Sequence, residues 1–262
     1  MKRIIYSVLL LLTGSNFLTA QDTLTFYYDD QWNEIQNKEE AAYYRKAFQV
    51  REVWTVRDYF MSDTLQMTGT FKSKKLTVRE GHFVYYYENG NKQSEGGYIN
   101  DKHSGPWTYY HENGQKKSEG NCTAGNMEGI WTYYFDSGEK KSEGKYIRSN
   151  RDGIWNFWYK NGKPEAVETY KVGFVTSTKL YYKNGNLNCE GEYLNGQRHG
   201  NWTYYTVDGR VYFSGKYVLG TRKGTWIRSF PKDQMVVKYE MGVVQDKEIG
   251  GIVRKKWSQA QE

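Results

Sequence analysis

Six glycines, Gly90, Gly114, Gly138, Gly162, Gly185 and Gly209, recur at intervals of 24, 24, 24, 23 and 24 residues, and their surroundings recur with them. The chain reads GHFVYYYENGNKQSEGGY from Gly81, GPWTYYHENGQKKSEGNC from Gly105 and GIWTYYFDSGEKKSEGKY from Gly129, with looser copies from Gly153, through Leu180 and from Gly200. A period of this length marks a repeat architecture, in which one unit cannot bury its apolar side alone and neighbours must stack. Each unit reads as a hairpin. Asn113-Gly114 is a strong two-residue turn signal, because both central positions of a type I′ turn need positive φ, and Asn89-Gly90, Asn161-Gly162, Asn184-Gly185 and Asp208-Gly209 repeat it. Closing that turn sets Tyr110 opposite Lys117, Tyr109 opposite Ser118, Thr108 opposite Glu119 and Trp107 opposite Gly120. A second turn, clearest as Asn195-Gly196, leads into the next unit. The expectation is an all-β chain whose tandem hairpins form one open antiparallel meander, with twelve or so strands in 81–217.

Composition agrees with strands and tight turns. Aromatic residues make up 17% of the chain, with 25 Tyr and 9 Trp, and there are only three Pro. Period-two alternation sorts each unit onto two faces. One carries Trp107, Tyr109, His111, Ser118, Gly120 and Cys122, and its columns hold Trp131, Trp155 and Trp202, together with Tyr98, Tyr146, Tyr170, Tyr193 and Tyr217. A Trp opposite a Gly fills the space of the missing side chain, so this face is expected to be buried. The other face is polar except for one aromatic residue per unit: Tyr86, Tyr110, Tyr134, Trp158, Tyr181 and Tyr205, each four residues before its turn glycine. This ribbon is the candidate binding surface, because hydroxyl-bearing rings suit protein interfaces and sugar stacking. The alternative is that these rings only support cross-strand packing.

The ends differ from the array. Lys2 and Arg3, the apolar run Ile4–Leu12 and the small-residue site Leu18-Thr19-Ala20 have the layout of a secretory signal peptide, too short for a membrane span. The expected organisation is a signal peptide at 1–20, an N-terminal cap with a degenerate repeat at 21–80, the array at 81–217, and a degenerate repeat and tail at 218–262. Lys38–Lys46 is the only segment that reads as a helix. Cleavage after Ala20 lowers the net charge from +7 to +5. The basic residues are interleaved with Glu except at Arg254-Lys255-Lys256, and export argues against a nucleic-acid partner.

The chemistry-bearing residues point away from catalysis. His82, His103, His111 and His199 share no column, no metal-ligand spacing occurs, and neither a nucleophile elbow nor a phosphate-cradling loop is present. No catalytic residue, metal or cofactor is expected. Glu95, Glu119, Glu143 and Glu190 recur at one position, but identical groups lack the two contrasting environments that acid–base chemistry needs. Lys117 and Lys141, two residues before their Glu, make this a solvated charge stripe. Cys122 and Cys189 lie almost three units apart, beyond disulfide reach in a linear stack.

Residues 189–217, CEGEYLNGQRHGNWTYYTVDGRVYFSGKY, resemble the MORN repeat in the spacing of Tyr, Asn-Gly and Gly. The Trp two residues after the Gly, followed by Tyr-Tyr, resembles the bacterial variant, whose members are often labelled antitoxin-like. The resemblance covers roughly 50–240. It implies an elongated, curved sheet of stacked hairpins, a role in protein or membrane association, and no catalytic residues. Together with the leader it gives an exported scaffold, periplasmic, outer-membrane-associated or secreted, that binds another envelope protein. The alternatives are a module for glycan or lipid head groups and an antitoxin-like immunity protein.

Overall fold

The computed structural model describes residues 23–229, 234–240, 242–249 and 252–255. The leader expected at 1–20 and Lys256 of the basic cluster lie outside the described residues. Twenty-one strands form one antiparallel sheet in which chain neighbours are sheet neighbours. The exception is at the start, where β1 (Leu24–Tyr28) pairs with both β2 (Glu34–Ile35) and β3 (Tyr43–Val50). Next come β4 (Val53–Phe60), β5 (Leu65–Phe71), β6 (Gly81–Tyr86), β7 (Lys92–Ile99), β8 (Lys102–Tyr110), β9 (Lys116–Thr123), β10 (Asn126–Tyr134) and β11 (Lys140–Ile147). They are followed by β12 (Asn150–Trp158), β13 (Pro164–Lys171), β14 (Phe174–Tyr181), β15 (Leu187–Leu194), β16 (Gln197–Tyr205), β17 (Val211–Val218), β18 (Thr221–Ser229), β19 (Gln234–Glu240), β20 (Val243–Ile249) and β21 (Ile252–Lys255). The sheet is open, and the expected meander over 81–217 comprises β6 to β17.

Lys38–Lys46 is not a helix. Lys38–Glu40 makes one 3-10 turn and β3 begins at Tyr43. Tertiary pairing overrides the weak propensity: Tyr43 stacks on Trp32, Tyr44 stacks on Tyr59, and Arg45 makes a 2.7 Å ion pair with the buried Asp58.

The turn assignment is reversed within each unit. At Asn113-Gly114 only the glycine has positive φ, 85°. The Gly114 amide donates to the His111 carbonyl at 2.9 Å and the His111 amide to Gln115 at 2.7 Å. This is a three-residue loop, a type I turn closed by a glycine bulge, not a type I′ turn. Tyr110 therefore pairs with Lys116, not Lys117, while Tyr109–Ser118, Thr108–Glu119 and Trp107–Gly120 pair as expected. Positive φ at two successive residues belongs to the inter-unit turns, as in Asn195-Gly196 (52° and 74°). The asparagine before the turn glycine has a different task. Asn113 Oδ1 accepts the Gln115 amide at 3.0 Å while its Nδ2 donates to the Asp136 carbonyl at 2.6 Å, one unit along. Asn89, Asn161 and Asn184 repeat both bonds.

The core is one layer of side chains on one face. Trp107, Trp131, Trp155, Trp202 and Trp226 are among the most buried residues. Each ring lies over the glycine of the preceding unit, not over its own hairpin partner: a Cβ on Gly120 would sit 2.3 Å from Trp131 Cδ2, and Gly96, Gly144, Gly191 and Gly215 repeat this under Trp107, Trp155, Trp202 and Trp226. The indole Nε1 then donates to the carbonyl one residue beyond that glycine, at 3.0–3.2 Å. A register shift occurs at that point of the inter-unit ladders, so the ring covers backbone that pairs irregularly. The aromatic rescue inferred from sequence thus acts between units and holds the stack together. One unit breaks the pattern: Thr178 stands at the Trp position and its ladder partner, Glu168, at the Gly position. The core divides there into a cluster ending at Tyr170 and one beginning at Cys189.

Candidate functional site

The face opposite the tryptophans carries the expected aromatic ribbon. Tyr86, Tyr110, Tyr134, Trp158, Tyr181 and Tyr205 are each half-buried. Because each lies beside the Glu stripe of the unit before it, the phenol of Tyr134 reaches Glu119 at 2.6 Å and that of Tyr205 reaches Glu190 at 2.7 Å. Tyr110 donates to Glu95 in the same way. The stripe is charge-paired as the sequence implied, but the loop bulge changes the partner: Lys92, Lys116 and Lys140, three residues before their Glu, make the contacts at 2.7–2.8 Å, where Lys117 and Lys141 were expected. Lys141 lies instead near the Phe135 ring.

These contacts fix protonation. The Lys116 ammonium, and then the Tyr134 hydroxyl, hold the Glu119 carboxyl below the ordinary carboxylate range. Lys92 and then Tyr110 lower Glu95, Lys140 with Thr132 lowers Glu143, and Tyr205 with Lys179 lowers Glu190. Burial, and then the bond to carboxylate, push Tyr110, Tyr134 and Tyr205 up to about 12. The result is a lattice of neutral phenols and ion-paired carboxylates, with no carboxyl raised toward the pKa a general acid needs. The ribbon has gaps. Trp158 has no hydroxyl and receives Lys140 over its ring at 5.4 Å, and beside Tyr181 the Glu position is Val167. Among the described residues no group of three or more His, Cys, Asp or Glu could hold a metal ion. Cys122 and Cys189 are buried free thiols.

The same face carries residues that the sequence reading passed over. Ile99, Ile130, Ile147, Ile154, Phe174 and Leu194 are 40–72% exposed. Pairing puts them on the Glu side: Ile130 opposes Lys145, Ile147 opposes Asn150 and Phe174 opposes Lys171. They run toward the inter-unit turns, beside the ribbon. The signal was available, since Ile130 and Ile154 each directly precede a core Trp and must therefore face the other way.

A family model described as a MORN repeat variant matches residues 79–100, 104–121, 127–148, 151–171 and 177–195. The hairpins over these residues are MORN-variant repeats. MORN repeats are in general non-catalytic modules that bind proteins or membranes. No curated protein matches the chain. Among solved structures, a GtfA/B complex bound to UDP and GlcNAc is 17% identical over 42% of this chain and 22% of its own, with a TM-score of 0.20. A TcdB2-TccC3 structure is 10% identical over 87% of this chain and 17% of its own, with a TM-score of 0.22. The chain spans about a fifth of the length of these solved chains. No helix among the described residues is long and apolar enough to cross a membrane.

Proposed function

We propose that this chain is an exported, non-enzymatic scaffold of the cell envelope that binds another protein through the ribbon face of its MORN array. The observation that carries the reading is the row of exposed Ile99, Ile130, Ile147, Ile154, Phe174 and Leu194 alongside a Tyr–Glu–Lys lattice. Aligned apolar side chains rimmed by fixed polar groups are the anatomy of a protein interface. The tyrosines are held by hydrogen bonds before any partner arrives, so they lose little side-chain freedom on docking. Export rests on the leader-like sequence at 1–20, and the mature protein isolated from its host should begin at or near Gln21. The Ile130→Glu/Ile154→Glu variant tests the surface. Both side chains are exposed, so its melting temperature should match the wild type while co-purification of the envelope partner is lost. Unchanged partner recovery would sink this assignment of the face, and a mature protein that keeps Met1–Ala20 inside the cytoplasm would sink export.

A further inference from the structure

Along the tryptophan face, an arginine caps a tyrosine in unit after unit. Arg79 lies over Tyr98, Arg151 over Tyr170, Arg198 over Tyr217 and Arg222 over Tyr239, with guanidinium-to-ring distances of 4.1–5.6 Å. Three units depart from this: Val175 takes the arginine position opposite Tyr170, and the other two are successive. The pairing that sets Arg151 opposite Tyr146 and Arg222 opposite Tyr217 places His103 and Met127 at the arginine positions, and Cys122 at a tyrosine position. Where those bulky, charged side chains lapse, a cleft of about 480 Å³ opens. Its walls are Tyr109, Trp131 and Tyr133, with His103, Cys122 and Met127.

Tyr109 and Tyr133 both pack against the buried Trp131. Tyr109 and Trp131 have centroids 6.3 Å apart at 35°, and Trp131 and Tyr133 are 6.3 Å apart at 33°. Ser94 and Ser118 flank Tyr109 on the two neighbouring strands. Ser94, Ser118, Tyr109 and Gln93 bring hydroxyl and amide groups to the lining of the cleft. The walls are uncharged. Burial, helped by Arg79, keeps His103 neutral, burial keeps the Cys122 thiol protonated, and Lys117 at the rim is the one formal charge.

We propose that this cleft binds a neutral saccharide, with a sugar ring stacked on Tyr109 and its hydroxyls bonded to Ser94, Ser118 and Gln93. The volume falls within the range of small-ligand sites. An aromatic floor takes the apolar face of a pyranose, and the ring of hydroxyl and amide groups takes its edge. A wholly apolar occupant would bury those polar groups unpaired, and an ionised one would be desolvated against walls whose one charge is the solvent-exposed Lys117. The cleft opens on the tryptophan face, away from the exposed isoleucines of the proposed protein interface, and Tyr110 of the ribbon also lines it.

Cys122→Tyr restores the residue found at Tyr98, Tyr146 and Tyr170, so it should fill the cleft and leave melting unchanged or higher. Wild type and variant are titrated calorimetrically, and by tryptophan fluorescence, with cellotetraose, chitotetraose and tetragalacturonate. The expected result is saturable binding of a neutral tetrasaccharide by the wild type, weakened at least about tenfold in the variant, with the uronate about tenfold weaker than the neutral sugars. Ser118→Ala should weaken binding too, and decides the matter if Cys122→Tyr does not fold. Absence of neutral-saccharide binding at millimolar concentration would overturn the proposal. Affinity unchanged in both variants, or capture of a tryptophan-containing peptide in place of the sugars, would overturn it equally.

Discussion

Trp131 links two units through one side chain. Its ring covers Gly120 and its Nε1 bonds the Asn121 carbonyl at 3.0 Å, so it both fills space and satisfies a backbone acceptor. Trp131→Ala should cost about 3–5 kcal/mol in chemical denaturation. Gly120→Ala inserts a methyl 2.3 Å from a packed ring and should cost about 1–3 kcal/mol despite removing nothing. The Trp column and its facing glycines were legible from spacing. Which glycine each ring covers was not, because Trp131 has its ladder partner Gly144 on one side and Gly120 on the other, and only the ring's tilt decides. The Tyr134–Glu119–Lys116 cluster makes a pH prediction. Glu119 is depressed, so its stabilisation is present above its ordinary pKa of 4.5 and lost as pH falls through the lower folded value. Tyr134 is raised, so its stabilisation is present below 10.0 and lost as pH rises toward about 12. Melting temperature should therefore hold level through neutrality and fall on both limbs, and Glu119→Gln/Tyr134→Phe should flatten both. A variant with the same two limbs would show that the cluster contributes nothing.

At the scale of the hairpin, the asparagines divide into two kinds that look alike in sequence. Asn195 occupies a positive-φ position, 52°, whereas Asn113 does not and instead staples its loop to the next at Asp136. Gly at 195 should be nearly neutral, since it adopts that conformation freely. At 113, both Ala and Gly should destabilise by about 1 kcal/mol, because each removes the bonding side chain. Denaturation of the three variants checks this, and a stabilising Asn113→Gly would mean that the turn needs positive φ there after all. The type I′ reading of Asn113-Gly114 went wrong because that dipeptide suits both loops. What separates them is the extra residue before the pairing resumes at Lys116, and that count depends on where the strand restarts.

Across the whole molecule, the repeat, the strand order and the division into two faces were legible from the glycine period and the Trp column. The apolar row was legible from the same alternation, but the cleft at Cys122 was not, since it arises from departures at single positions in an otherwise regular array. Another departure divides the core at Glu168 and Thr178. In a stack stabilised by nearest-neighbour contacts, restoring that contact should join the two halves. Thr178→Trp alone would meet the Glu168 side chain, but Glu168→Gly/Thr178→Trp should raise the melting temperature and sharpen the calorimetric transition. Effects that merely add would contradict coupling between the pair. The central claim is that the tryptophan face holds the array together while the Ile–Phe–Tyr face meets a partner protein. Its most direct test is site-specific photo-crosslinking in the native host, with the crosslinker placed at Ile154 or Phe174 on one face and at Arg198 on the other. The account predicts one discrete protein adduct from positions 154 and 174 and none from 198. An adduct from 198 alone, or none from 154 and 174, would contradict it.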